Sequence, residues 1–187
     1  PNGRYEAAIV INCAGAWGDQ VAAMVGDHVP ISAEAPTMMV TAPVPHFLDP
    51  VVCHISKKLS FKQAPSGIVL IGGDYRGTLD RDAGTTRVDF LKLRESAQTV
   101  INFFPVMKNA PVVRAWAGIE GLTPDRIPAI GPSPKHDGLF HAFGFSSHGF
   151  QLAPVVGRLM SELIVDGRSS IPLDAFSLRR FEEKQGV

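Results

Sequence analysis

The stretch GLFHAFGFSSHGFQLAPVVGRLMSELI, Gly138 to Ile164, constrains this chain more than any other. Its first residues read as a strand that ends near Phe143. The spacing then predicts a helix from near Leu152, with Leu152, Val155, Val156, Leu159, Leu163 and Ile164 on one stripe. Pro154 falls in the first turn, where its missing N–H costs nothing, and Gly167 ends the helix. Gly144 and Gly149 frame the turn and permit close backbone approaches. The first N–H groups of such a helix are unpaired and carry the positive end of its dipole, which suits an anion or an electron-rich ring carbonyl. On spacing alone an ordinary strand–turn–helix corner stays open, because GFSSHG is neither GxGxxG nor a P-loop.

The start of the chain repeats the theme. The apolar run Ala7–Cys13 reads as a strand buried on both faces. It passes through Ala14-Gly15 into a short helix with Trp17, Val21, Met24 and Val25 on one face, an α/β unit. Between these ends the pattern changes. PTMMVTAP, VVCHIS, LSFKQA and IVLIGG are short strand candidates divided by Pro, Gly and Ser, as in an antiparallel sheet. Thr86, with Asp89 three residues on, is placed to cap a helix carrying Phe90, Leu93, Ala97, Val100, Ile101 and Phe104 until Pro105. PVVRAWAGIEG reads as one further strand. The layout predicted is a sheet-based substrate domain inserted into a nucleotide-binding domain that is partly present.

Composition narrows the function classes. Eighteen basic residues balance eighteen acidic ones among 187, so no bulk field favours nucleic acid or a membrane surface. No apolar run reaches the roughly 20 residues of a membrane span, and PNGRYE does not read as a signal peptide. Cys13 and Cys53 make neither a disulfide framework nor a metal site; both are expected to be buried free thiols, in keeping with a cytoplasmic location. The absent initiator Met suggests the C-terminal part of something longer.

Three segments read together carry a resemblance: VINCAGAWGDQVA, VVRAWAGIEGLTPDRIPAIGPSP and GLFHAFGFSSHGFQLAPVVGRLMSELI. In this order they resemble the C-terminal half of the FAD-dependent D-amino-acid oxidase superfamily, which includes glycine and sarcosine oxidases and the flavin subunits of heteromeric amine oxidases. The resemblance implies a mixed α/β and α+β fold. An antiparallel-sheet substrate domain, 31–120, would stand between parts of an FAD-binding, glutathione-reductase-like domain at 1–30 and 121–187. It implies FAD as cofactor of the full-length protein, gripped partly by an upstream segment, because the family's GxGxxG is not among these residues; this chain alone is expected to be inactive and to hold FAD weakly or not at all. The reaction implied is oxidation of an amine or amino-acid C–N bond by hydride transfer to the flavin, so no catalytic triad is expected.

By position, the resemblance puts Ala14, Gly15 and Trp17 close to FAD. It wraps Gly144, Phe145, Ser146, Ser147, His148, Gly149, Phe150 and Gln151 around the flavin. The family's customary carboxylate partners are cations, but here the matching positions are Glu120, Ser147 and Gln151. Arg114, Trp116, Glu120 and Ser147 are the substrate-side candidates, and Arg114 and His148 the candidates for a catalytic role. Arg114, Trp116 and Glu120 share strand parity if that strand stays regular. Each has an ordinary use beside it: an ion pair for Arg114, core packing for Trp116, a surface carboxylate for Glu120, loop pinning for His148. The same holds of His54 as a sheet residue, Asp125 as a turn former and GGDYRG as a solvated hairpin turn. The partners expected are a small amine or amino acid, the upstream part of the FAD domain and further subunits, with no nucleic acid and no metal. A non-catalytic binding or assembly module that retains the fold is the alternative; a nicotinamide-linked Rossmann enzyme is disfavoured.

Overall fold

The computed structural model of the chain describes residues 3–182. Along the chain run β1 (Val10–Asn12), α1 (Gly18–Ala23), β2 (Ser32–Glu34), β3 (Thr37–Thr41), β4 (Val52–Cys53) and β5 (Ser60–Gln63). There follow β6 (Val69–Gly72), β7 (Thr78–Asp80), β8 (Thr85–Arg87), α2 (Phe90–Phe103) and β9 (Val112–Ala117). The last elements are β10 (Glu120–Leu122), β11 (Ala129–Pro132), β12 (Leu139–Phe143) and α3 (Gly149–Asp166). The chain forms two compact units: residues up to Ala33 together with those from Glu120 onward, and Glu34–Ile119.

The first unit is built on a three-stranded sheet of order β1-β12-β11. β1 runs parallel to β12, with Asn12 opposite His141, and β11 pairs antiparallel on the other side. Because side chains alternate along a strand, β12 serves two cores. Phe143 joins Ala22, Val29, Ala129, Leu178 and Phe181 on one face. Phe140 and Ala142 join Ile130 and the apolar stripe of α3, Val156 and Met160, on the other. Gly167, in the left-handed conformation at φ 69°, ends α3 as the sequence predicts.

The second unit is an antiparallel sheet of order β4-β5-β6-β3-β9, with the small hairpin β7–β8 beside it in sequence. Its core is Met39, Leu59, Phe61, Val69, Ile71, Val100 and Met107, with Phe61 stacked on Phe104 at 4.4 Å between centroids. α2 packs Val100 into this core. Its cap is Asp89 itself, whose carboxylate accepts from the N–H groups of Leu91 at 2.8 Å and Lys92 at 3.1 Å. Thr86 instead lies in β8 and donates to the Ala117 carbonyl.

Several expectations are corrected by burial. Of the apolar run Ala7–Cys13, Val10–Asn12 forms the strand. Ile9, Val10 and Ile11 are 42%, 51% and 45% exposed, because β1 has a neighbour on one side among the described residues. Cys13 and Cys53 are free, but exposed rather than buried. α1 is six residues long and turns Gly18 and Ala22 inward, leaving Met24 exposed. PVVRAWAGIEG is two strands, since pairing stops after Ala117 and resumes at Glu120. Tyr75 of GGDYRG is buried and bonds Thr99 at 2.7 Å, and Arg76 pairs with Glu34 and Asp74, so that turn is anchored rather than solvated. His54 lies past β4 and accepts from the N–H groups of Ser56 and Lys57, a turn former rather than a sheet residue.

Candidate functional site

In the first unit three short segments converge at one end of the sheet. The first is the 3-10 turn Gly15–Trp17, into which β1 leads. Gly15 has φ +56°, a conformation that favours glycine, and a Cβ placed there would meet open space. The second segment is β10. A Cβ on its Gly121 would lie 2.8 Å from Ala16 Cα, so the strand and the turn touch backbone to backbone. The third is the loop Gly144–His148, joined to β10 by a bridge between Leu122 and Phe145.

That loop holds three successive kinds of constraint. Gly144 is at φ +73°, and a Cβ there would sit 2.8 Å from the Thr123 methyl. Ser146 and Ser147 are at φ 49° and 75°, although neither is glycine. Each such residue costs on the order of 1 kcal/mol and persists only where its surroundings impose it. Here they do. The buried Ser146 hydroxyl donates to the Gly144 carbonyl and accepts from the Thr123 N–H, both at 3.2 Å. Thr123 in turn donates to the Ile127 carbonyl at 2.9 Å. Asp125 braces the same segment, accepting from the Ile127 N–H and from Arg180 Nε. Burial alone would raise the Asp125 pKa, but the hydrogen bonds from Arg180 and Ile127 hold it below the usual carboxylate range.

α3 begins directly after this loop, three residues before the predicted start. Its N-cap, His148, offers no side-chain bond to the first turn. The leading N–H groups of an 18-residue helix thus face outward beside Ser147 and His148, both exposed. Along the flank of α3 runs an apolar cavity of about 590 Å³, lined among others by Cys13, Gly15, Ala142, Phe145, Gly157 and Met160.

The structure thus brings Ala14, Gly15 and Trp17 together with Gly144, Phe145, Ser146, Ser147, His148 and Gly149. Phe150 and Gln151 point outward from the first turn of α3 and are exposed. Glu120 belongs here too: its Oε2 accepts from the Ser147 hydroxyl at 2.8 Å. The shared parity with Trp116 fails, because Gly118 and Ile119 interrupt the strand. Arg114 and Trp116 lie in the second unit, where the guanidinium stands 5.5 Å from the indole centroid; no ion pair holds Arg114 among the described residues. Sequence reasoning missed Gly121, Thr123 and the buried trio Asn12, Asp27 and His141. Polar residues inside the runs IVINC and LFHAF were the available signal.

Known proteins agree with this architecture. The family model described as FAD dependent oxidoreductase (DAO) matches residues 1–163. The chain belongs to this family. The chain is 32% identical to the sarcosine oxidase subunit beta of Rhodobacter capsulatus, over 89% of this chain and 39% of that one. Among solved structures, L-proline dehydrogenase from P. horikoshii superposes with a TM-score of 0.86 at 30% identity, covering 94% of this chain and 47% of that one. Glycine oxidase from Geobacillus kaustophilus follows at 0.82 and 28%, covering 93% and 46%. The chain therefore spans about two fifths of the curated relative it matches.

The residues present fit part of an FAD site. An uncapped helix start suits an electron-rich ring carbonyl, and Gly15 leaves open the space a Cβ would fill.

Proposed function

We propose that the full protein is an FAD-dependent oxidoreductase that oxidises the C–N bond of an amine or amino acid, and that this chain supplies one wall of the flavin site. In this reading the first unit is part of the FAD domain and the second is the substrate domain. One observation carries it: the uncapped N-terminus of α3, the left-handed Ser146–Ser147 pair and the open Gly15 meet at one end of one sheet. FAD, when bound, supplies the two-electron acceptor that no side chain here can be. The residues of this chain position and polarise. The first N–H groups of α3 present fixed dipoles to growing negative charge, and they need no reorganisation to do so. Gly15 lets the backbone approach closely. The exposed edge of β1 is where the remainder of the cofactor domain pairs.

The substrate reading follows from Glu120. A carboxylate buried without a cation is costly, and the positions at which the family resemblance leads one to expect cations hold Glu120, Ser147 and Gln151. Two of these three satisfy each other through the Ser147–Glu120 bond. This supports a substituted or secondary amine larger than glycine or sarcosine. The likeness to a beta subunit supports a heteromeric assembly, with this chain in the flavin subunit.

The decisive experiment is purification of the full-length protein. Absorbance near roughly 450 nm, as flavins show, supports the reading; a colourless, folded protein would leave a binding or assembly module. A dye-linked screen of glycine, sarcosine, D-amino acids, proline and opines then ranks substrates, and highest kcat/KM on glycine or sarcosine would overturn the argument from the missing cations. Gly149→Val tests the loop: the Cβ site already lies 3.3 Å from Phe145 Cβ. The variant is expected to release flavin, whereas unchanged flavin content and thermal stability would reduce the loop to a corner.

A further inference from the structure

On the α1 side of the first unit's sheet lies a polar network to which the flavin reading gives no role. Asn12, Asp27 and His141 are 4%, 2% and 0% exposed. They come from β1, the loop after α1, and β12. Their bonds have one consistent polarity. Asn12 Nδ2 lies 2.8 Å from the Gly18 carbonyl, which can only accept, and Asn12 Oδ1 lies 3.1 Å from the Ala14 N–H, which can only donate. The orientation of this amide is therefore forced. Its Nδ2 also stands 3.1 Å from His141 Nδ1, so Nδ1 must accept. The ring proton is then on Nε2, 3.0 Å from Asp27 Oδ2. Asp27 Oδ1 has no hydrogen-bond partner among the described residues, so His141 is the group that holds this carboxylate.

We propose that His141, neutral and protonated on Nε2, is the positioning residue of the Ala14–Trp17 turn, acting through Asn12. One amide clamps the turn at both ends, at the Ala14 N–H and at the Gly18 carbonyl, and His141 holds that amide. A second proton on His141 would set N–H against N–H at Nδ1. Relief requires the Asn12 amide or the ring to rotate, and rotation of the amide breaks both ends of the clamp. The groups recorded around His141 are Asn12 from β1, Asp27 from the loop after α1, the ring of Phe143 at 5.7 Å from β12 itself, and Gly131 opposite on β11. Asp27 is the titratable group among them. Burial lowers the His141 pKa and Asp27 raises it, with burial the larger effect, so the ring stays neutral near neutral pH.

The clamp stands without the cofactor; its consequence for flavin binding rests on the reading above. The test uses the full-length protein stripped of flavin. Histidine ¹⁵N spectra identify the protonated nitrogen, and hydrogen exchange, corrected for the intrinsic pH dependence, follows the peptide containing Ala14–Gly18. Nε2 protonation is expected, with turn exchange rising roughly tenfold or more as His141 takes its second proton while β12 keeps its protection. His141→Phe keeps a ring but has neither the acceptor for Asn12 nor the donor for Asp27, and its turn should exchange fast at every pH. A proton on Nδ1, or a turn whose protection ignores His141 protonation, overturns the proposal, and both are read on the parent protein even if the variant fails to fold. FAD affinity measured across the same pH range separates the two readings. A turn that opens with no change in affinity leaves the clamp and removes the turn from the flavin site.

Discussion

β1 and β6 are written in nearly the same letters and end in opposite surroundings. IVIN exposes Ile9, Val10 and Ile11, whereas in VLIG Val69 and Ile71 are almost wholly enclosed. The difference lies in what surrounds them. β6 has β5 and β3 as neighbours and lies in a core to which α2 contributes, while β1 pairs with β12 on one edge. Apolar sequence states what a strand tolerates, and the neighbouring elements decide what it receives. The second unit thus holds a closed apolar core, and the first holds a sheet with an apolar edge, a buried polar network and the candidate site.

The largest effect should come from opening the closed core. Phe61 is fully buried and stacked on Phe104. Phe61→Ala should cost about 3–5 kcal/mol in denaturant unfolding. Ile11→Ala, at a half-exposed site, should cost within about 0.5 kcal/mol in this chain. The same substitution in the full-length protein sharpens the comparison: a cost of about 2–4 kcal/mol there would mean that the rest of the protein covers β1. An equal, small cost in both would leave β1 a true edge.

A second effect tests how tightly the first unit is packed despite its open edge. Gly18 has φ −60°, so no strain attaches to its backbone, but a Cβ would stand 2.3 Å from the ring of the buried Phe143. Gly18→Ala should cost about 1–3 kcal/mol through overpacking. A neutral result by thermal unfolding would show a face loose enough for the Phe143 ring to move aside.

α2 and α3 were legible in the sequence as helices because apolar residues recur at helical spacing, whereas in α1 the same spacing named Met24, which is exposed, and missed Gly18 and Ala22, which turn inward. α2 ends at Phe103, before Pro105, and α3 ends at Gly167, for local reasons that the sequence states. What was not legible depends on distant partners. Glu120 lost its parity with Trp116 because pairing stops after Ala117, and nothing local requires that break. The network of Asn12 and His141 joins residues 129 apart in the chain, and Asp27 and His141 are 114 apart. One apolar run with a single polar residue does not name the residue it will meet. The loop Gly144–His148 was legible as a turn, but its left-handed Ser146 is held by Thr123 and its left-handed Ser147 bonds Glu120, neither of which the loop's own letters mention.

A smaller, pH-dependent effect belongs to the C-terminal half of α3. Glu162 accepts from the Ser170 N–H and from Arg158 Nε, both at 2.7 Å, and hydrogen bonding from the Ser170 side chain and backbone, then from Arg158, holds its pKa at about 2, below the ordinary 4.5. A depressed folded-state pKa means that the unfolded chain binds the proton first as pH falls. The stabilisation from Glu162 is therefore fully present above about 4.5 and lost toward about 2. Glu162→Gln should lower Tm at pH 6, and the gap from the parent should close by pH 2. A gap that stays constant with pH would assign the effect to lost hydrogen bonds rather than to charge.

The smallest effect has the most diagnostic sign. Gly157 lies inside α3 and lines the apolar cavity, and a Cβ there would meet nothing within 4 Å. In a helix interior alanine is favoured over glycine by about 1 kcal/mol, because glycine surrenders more backbone freedom. Gly157→Ala should therefore raise the stability of this chain by about 0.5–1 kcal/mol. The full-length protein offers the contrast. If another part of the polypeptide packs closely along this flank of α3, the added methyl intrudes, and the gain becomes a loss of about 1–3 kcal/mol. Thermal unfolding of both proteins, each with and without FAD, reads the sign directly. A loss in the full protein would mean that the cavity beside Gly15 and Ala142 is a packing surface kept open by glycine. A gain in both, with FAD binding intact, would mean that the space along α3 stays empty and that the candidate site ends at the loop.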